Sequence, residues 1–338
     1  MGRTDLFETE SHLPLWMGWC PPVDVEKHND DHLEKRSERL EEISNELNEL
    51  RLRLKLAQEK AFNGVSEGMA NKALHNTSRA RENLKKECAA RPYCVKPDLW
   101  FLRVFHTLKS VLALSDVYNV NILINYGRTN SHKGPSSCDV LKQLKIDGII
   151  HPDSNMELSS ISNSSLWFSY ASQFHTKDIY YGNYGVDRVE DGRYERQEKL
   201  ATKGIYAEIL FGMLMLREGG SMIIKTYTYF TKKMQCVIGM LFDHFDIQFT
   251  KAQFSKSTNS ERFIVCMNYR NVLTYSQAVD LLVRVPDTPL PLHNVLTLER
   301  AYVGTQIEAL KLVAEILDCY KQGKLDKAKR AEFLARCA

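Results

Sequence analysis

An open α/β sheet spanning residues 93–284, with helical segments on either side, is the fold this sequence predicts, and three observations predict it. After Arg91-Pro92 and Lys96-Pro97 the texture changes to short apolar runs alternating with amphipathic stretches, the pattern of strands and helices taken in turn. One such run, Met222-Ile223-Ile224, carries a lysine, Lys225, at its tip. Another, Phe263-Ile264-Val265-Cys266, is fed by a polar loop that brings in Glu261. A lysine and a glutamate at the ends of neighbouring strands can share a site.

The elements follow in order. Residues 1–30 are rich in Pro and Trp without a clear period and read as an irregular arm. From Asp31 a long helix opens a helical, coiled-coil-like segment over 31–92, with Leu33, Leu40, Ile43, Leu47, Leu50 and Leu54 on a and d positions of a heptad broken only by Arg36. Either this helix packs on its own domain, or the 33–54 stretch makes a homodimer or holds a protein partner. Asn63-Gly64 and Gly68 interrupt it before a more polar helix that runs to about Ala90.

Within 93–284, Asp98 to Ser115 reads as a helix, Asn121 to Asn125 as a buried strand ending at Tyr126-Gly127, and Cys138 to Lys145 as a helix. Gly148 to His151 is the next strand and leads into Pro152-Asp153. Asp178 to Asp187 is an irregular strand. Glu198 to Leu216 is a long helix with Ile205, Ile209, Leu210, Met213 and Leu216 inward. A Gly219-Gly220 turn then opens the Lys225 strand. A helix from Lys232 to His244, a strand from Phe245 to Thr250, the Glu261 strand and a helix from Asn271 to Leu282 complete the domain. A Pro-rich link from Val285 starts a helical extension over 285–338.

Composition narrows the class. At 338 residues, 43% hydrophobic and 26% charged, the chain reads as an ordinary soluble globular protein, and a net charge of +3 does not by itself demand a nucleic-acid partner. No apolar run is long enough to span a bilayer, so no membrane role is expected. The N-terminus lacks the apolar core of a signal peptide, and the eight cysteines form no Cys-x-x-Cys pair, which points to a reduced intracellular, cytoplasmic setting. Cys236 and Cys266 sit in apolar segments and read as core thiols. His28 and His32 lie one helical turn apart beside acids, a solvated helix start, and no metal site is expected.

In an open α/β sheet, ligands bind beyond the carboxyl ends of the strands. The loop after Tyr126, then Asp153, Asp187 and Lys225, all fall at such ends. Taken alone, Lys225 and Glu261 also fit a strand-end lysine and its surface ion-pair partner.

The segment Leu216-Arg-Glu-Gly-Gly-Ser-Met-Ile-Ile-Lys225, with Lys251 to Cys266 (Lys-Ala-Gln-Phe-Ser-Lys-Ser-Thr-Asn-Ser-Glu-Arg-Phe-Ile-Val-Cys), resembles the FtsJ/RrmJ-like ribose 2′-O-methyltransferases. Within them it is most similar to the Adrift-type cap methyltransferases and the asfarvirus FtsJ-like proteins, which Asp287-Thr-Pro-Leu290 also resembles. A weaker similarity to the nidovirus cap 2′-O-methyltransferases covers Tyr118 through Asp153. The resemblance implies a Rossmann-like S-adenosylmethionine-dependent methyltransferase sheet, here with a helical N-terminal arm and a helical C-terminal tail. It also implies a Lys-Asp-Lys-Glu tetrad, which falls on Arg103, Asp187, Lys225 and Glu261. Arg103 replaces the first lysine and is no base, because a guanidinium stays protonated. Lys225 is therefore the implied base for a ribose 2′-hydroxyl.

For the cofactor, S-adenosyl-L-methionine, the family's Pro-Gly-Gly turn is replaced by Tyr126-Gly-Arg-Thr-Asn-Ser-His-Lys-Gly134-Pro135. Gly127 and Gly134 would give close backbone approach, and Asp153 would take the cofactor's ribose hydroxyls or serve as a Pro-Asp turn residue. Lys232, Lys233, Lys251, Lys256 and Arg262, interleaved with Tyr227, Tyr229, Phe230 and Phe254, form either an RNA-binding face or a solvated charged one. The implied activity is methyl transfer to the ribose 2′-O of capped mRNA, in the host cytoplasm or virion if the chain is viral. The alternative is a catalytically inactive methyltransferase-like RNA-binding or scaffold protein.

Overall fold

The computed structural model describes residues 31–62, 122–125, 155–157, 167–185, 197–251, 258–284 and 286–336. Helix α1 spans Asp31–Phe62. Strand β1 spans Ile122–Asn125 and β2 spans Asn155–Glu157. A 3-10 turn, Phe168–Gln173, leads to β3, Lys177–Gly182. Then come α2 (Gln197–Met215), β4 (Leu216–Thr226), α3 (Lys232–Leu241), β5 (Asp246–Thr250) and β6 (Arg262–Met267). The chain closes with α4 (Tyr275–Val283), α5 (Leu292–Lys321) and α6 (Lys327–Arg336).

The strands form one sheet in the order β2-β1-β3-β4-β6-β5. β1 pairs in parallel with both β2 and β3, and β3 pairs in parallel with β4. β6 is antiparallel to β4 and to β5. The α/β fold read from the sequence is the fold observed, a Rossmann-like sheet whose strand order reverses at β1 and β3. That reversal is where such sheets open a ligand crevice. The antiparallel β6 has a second consequence: its first residue lies beside the last residue of β4, so Thr226 pairs with Arg262 and Lys225 with Phe263.

Helix α2 is the crossover between parallel strands β3 and β4 and packs on both, and against α3 and α4. Ile205, Ile209, Leu210 and Met213 are fully buried as expected, and the helix is apolar almost all round because neighbours cover nearly every side. Tyr206 donates to the Leu281 carbonyl at 2.7 Å and pins α4 to α2. Cys236 and Cys266 are buried free thiols, as read from the sequence.

Three local expectations are corrected. Gly219-Gly220 does not turn the chain between helix and strand but lies inside β4. Lys177 pairs with Leu216 and Ile179 with Ser221, so β4 bulges between them, and Gly219 takes a left-handed φ of 73° that favours glycine. Leu216 accordingly starts the strand instead of ending the helix. Strand β3 stops at Gly182, five residues short of Asp187. Helix α4 starts at Tyr275, where a capping box between Thr274 and Gln277 fixes its first turn. The stretch Gly148 to His151 lies outside the described residues, and the described strand beside β1 is Asn155–Glu157.

The heptad face of α1 packs within the chain over much of its length. Leu47 joins the sheet core with Ile43 against it, and Leu50, Leu54 and Ala61 join Val303, Ile307 and Leu310 of α5. Glu46 pairs with Arg300 across the same contact. Leu40 is exposed. Among the described residues, no helix is long and apolar enough to cross a membrane.

Candidate active site

Lys225 and Glu261 arrive at one end of the sheet because β4 ends where β6 begins. Lys225 is half-buried, and its Nζ donates to the Asn183 carbonyl at 3.0 Å, just past the end of β3. Gly185 presses close to it. A Cβ there would stand 2.5 Å from Lys225 Nζ and 3.0 Å from the Tyr227 hydroxyl. Residue 185 therefore lies against the lysine because it has no side chain.

Glu208 completes the arrangement from below. It projects from α2, is fully buried, and accepts from the Tyr184 N–H at 3.0 and 3.2 Å through its two oxygens. Gly182 makes room for it, since a Cβ at that position would sit 2.5 Å from Glu208 Cδ. Burial raises the Glu208 carboxyl well above the ordinary carboxylate range, while the Tyr184 amide and the charge of Lys225 pull it back. The sequence reading passed over Glu208. Its signal was a lone carboxylate in the apolar run from Ile205 to Leu216, where a glutamate is seldom buried without a partner.

Two further buried glutamates hold the loop after β4. Glu198 of α2 accepts from the Thr228 hydroxyl (2.6 Å), the Phe230 N–H (3.1 Å), the Thr231 N–H (2.7 Å) and the Thr231 hydroxyl (2.6 Å). Glu299 of α5 accepts from the Tyr229 N–H at 2.8 Å. The Thr226 and Tyr229 hydroxyls share a hydrogen bond of 2.9 Å. With its donors satisfied by fixed carboxylates, the loop that follows Lys225 is built rigid.

Arg262, read as part of a basic face, is buried. It is 1% exposed, forms a bidentate pair with Glu299 at 2.7 and 3.0 Å, and lies over the rings of Tyr229 and Tyr302. The first residue of β6 points at α5, which crosses this end of the sheet, so its guanidinium is enclosed before a phosphate could reach it. Tyr229 is likewise buried, edge-on to Phe249, and is no stacking platform.

Lys251 serves the Glu261 loop. Its Nζ donates to the Asn259 carbonyl (2.8 Å), the Asn259 side chain (3.1 Å) and the Glu261 carbonyl (2.8 Å). Gln306 of α5 holds the same loop by donating to the Thr258 carbonyl at 3.0 Å. Lys232 and Lys233 are exposed in the first turn of α3, with Lys232 3.3 Å from Asp287. Arg103, Gly127, Gly134, Asp153, Asp187 and Lys256 lie outside the described residues.

The sheet order, its switch point between β1 and β3, and a lysine and a glutamate brought to one end of the sheet stand together with a sequence similarity. The chain is 34% identical over 156 residues to the protein named Probable methyltransferase EP424R of African swine fever virus. The resemblance is to methyltransferases. That match covers 42% of this chain and 36% of the viral protein, so the methyltransferase-like stretch spans about a third of its relative's length. A shorter match, 35% over 75 residues, is to the cap-specific mRNA (nucleoside-2′-O-)-methyltransferase 2 of Danio rerio, covering 22% of this chain and 10% of that one. Among solved structures, a Plasmodium falciparum protein named as a putative ribosomal RNA methyltransferase aligns with 48% of this chain and 95% of its own, at 15% identity and a TM-score of 0.35. No family model matches the chain. The comparisons thus find the resemblance to asfarvirus and cap methyltransferases that the sequence suggested.

Proposed function

We propose that this chain transfers a methyl group from S-adenosylmethionine to a ribose 2′-hydroxyl of capped mRNA. The observation that carries the reading is the delivery of Lys225 and Glu261 to one end of the sheet by adjacent antiparallel strands, next to the β1/β3 switch point. The similarity to a cap-specific 2′-O-methyltransferase supports the choice of substrate, and an intracellular site of action suits such a substrate.

The cofactor is assigned to the switch point between the ends of β1 and β3, where Asn125 pairs in register with Gly182. Gly127, Gly134 and Asp153 are assigned to it from the sequence. When bound, it supplies an electrophilic methyl group. The chain's own work is then alignment and proton transfer. Lys225 Nζ, held by the Asn183 carbonyl, takes the proton that leaves the 2′-hydroxyl as its oxygen becomes an ether. Glu261, the residue before β6, is assigned to balance the resulting ammonium, with Asp187 and Arg103 assigned beside it. Lys232 and Lys233 hold phosphates at the start of α3.

Calorimetric titration with S-adenosylmethionine and its demethylated product, followed by nucleoside analysis of capped and uncapped RNA after incubation, tests this. Micromolar cofactor binding and cap-dependent 2′-O-methylation are expected. A folded protein that binds neither form of the cofactor would move the assignment to a non-catalytic RNA-binding or scaffold protein.

A further inference from the structure

Burying a glutamate within an apolar helix costs stability, and Glu208 lies on the inner side of the site where Lys225 is held. Its carboxyl accepts from the Tyr184 N–H at 3.0 and 3.2 Å. The carbonyl of that same peptide group, Asn183 O, accepts from Lys225 Nζ at 3.0 Å. One amide therefore stands between a carboxyl and an ammonium, hydrogen-bonded at each end. Once ionised, as pH rises through about 8, the carboxylate at the N–H side polarises the amide and strengthens its carbonyl as an acceptor. Both flanks of this peptide are glycine. A Cβ at Gly182 would meet Glu208 Cδ at 2.5 Å, and one at Gly185 would meet Lys225 Nζ at 2.5 Å.

Resting on the reading of Lys225 as the proton acceptor, we propose that Glu208 is a positioning residue that sets the orientation and the proton affinity of Lys225 through the Asn183–Tyr184 peptide. The geometry puts the partner carboxylate on α2, so the lysine is governed from inside the fold as well as from the loops at the sheet end. The charge of Lys225 in turn lowers the proton affinity of the Glu208 carboxyl, which burial raises. Titratable groups on the neighbouring elements include Tyr184, whose ring lies against Gly204, Tyr227 beside Gly185, and Glu261, the residue before β6. All three are retained in every variant below.

Side-chain NMR of the full chain reads the pair directly, with the Lys225 signal assigned by its loss in Lys225→Met. In Glu208→Gln the Lys225 amine is expected to titrate about one pH unit lower. In Lys225→Met the Glu208 carboxyl is expected to titrate higher than in the parent chain, as reciprocity requires. In the methyl-transfer assay the acid limb of the pH–rate profile moves down with Glu208→Gln and stays in place with Glu208→Asp, which keeps the charge. A folded Glu208→Gln protein with an unmoved Lys225 titration, or with a slower rate and an unmoved acid limb, would overturn the proposal. Coupled titrations in a protein without methyl transfer would overturn the catalytic reading alone, and the coupling between the two residues would stand.

Discussion

Arg262 and Glu299 form a buried bidentate ion pair, at 2.7 and 3.0 Å, that joins the start of β6 to α5. The same glutamate takes the Tyr229 N–H at 2.8 Å, and the guanidinium lies 5.2 Å from the Tyr229 ring centre and 4.8 Å from that of Tyr302. One carboxylate thus locks the strand that follows Glu261 to the loop that follows Lys225. Such a pair adds little net stability compared with an apolar substitute, yet breaking it leaves a buried charge alone.

Glu299→Ala should therefore lower unfolding free energy by about 3–5 kcal/mol, read by urea denaturation. Removing both charges, with Arg262→Met and Glu299→Leu together, should recover most of that loss. A double variant no more stable than Glu299→Ala would show that the pair does more than neutralise a buried cation.

The two glycines beside Asn183–Tyr184 should respond differently. Gly182→Ala sets a Cβ 2.5 Å from Glu208 Cδ and 2.7 Å from Ile224 Cδ1, both inside the packed core, and should cost about 1–3 kcal/mol. Gly185→Ala meets the far end of the Lys225 side chain, which can swing away. Its melting temperature should stay near that of the parent chain while methyl transfer falls. Equal losses of stability in the two variants would contradict this.

Stability should depend on pH through Glu208. Its carboxyl rises from an ordinary 4.5 to about 8 in the fold, so between those values the native state binds more protons than the unfolded chain. The native state then loses stability as pH rises through that window, and the penalty is absent below it. In Glu208→Gln this slope should disappear, so the variant gains relative to the parent between about pH 5 and about pH 8, measured by urea unfolding across the range. Parallel curves for the two proteins would refute it.

Lys225→Ala should leave the fold intact, since Lys225 is half-buried at a strand tip, and reduce turnover by about 10²–10⁴-fold. Single-turnover methyl transfer alongside thermal melting checks it. Retained turnover would remove Lys225 from the role of base.

The lysines should separate by salt dependence. Lys232→Ala and Lys233→Ala should each weaken RNA binding and lower the slope of affinity against salt by about one. Lys251→Met should keep that slope, because its three hydrogen bonds go to Asn259 and Glu261 within the chain. It should instead lower turnover by loosening the loop that ends at Glu261. A change of slope with Lys251→Met would mean that it contacts phosphate after all.

Much of the sheet was legible because apolar period and length carry strand and helix identity. Strands formed at 122–125, 246–250 and 262–267, within or over the runs read as strands, and the stripe Ile205, Ile209, Leu210 and Met213 is buried. The Gly219-Gly220 bulge was not legible as such, because a glycine pair looks the same in a turn and in a bulge until the neighbouring strand sets the register. Arg262 read as a surface cation for a similar reason. Its partner Glu299 lies 37 residues away on a helix whose path across the sheet end no local pattern reveals.

By itself the sequence determined the α/β class, the resemblance to methyltransferases, and the lysine and glutamate at the tips of their strands, since these depend on residue type, period and spacing along the chain. Tertiary structure decided which charges meet. The antiparallel insertion of β6 set Glu261 at the end where Lys225 emerges, α5 enclosed Arg262, and α2 brought Glu208 under the Asn183–Tyr184 peptide. The physical reason is that a buried charge survives only with a partner, and partners come from whichever elements the packing brings near, however far apart they lie in sequence.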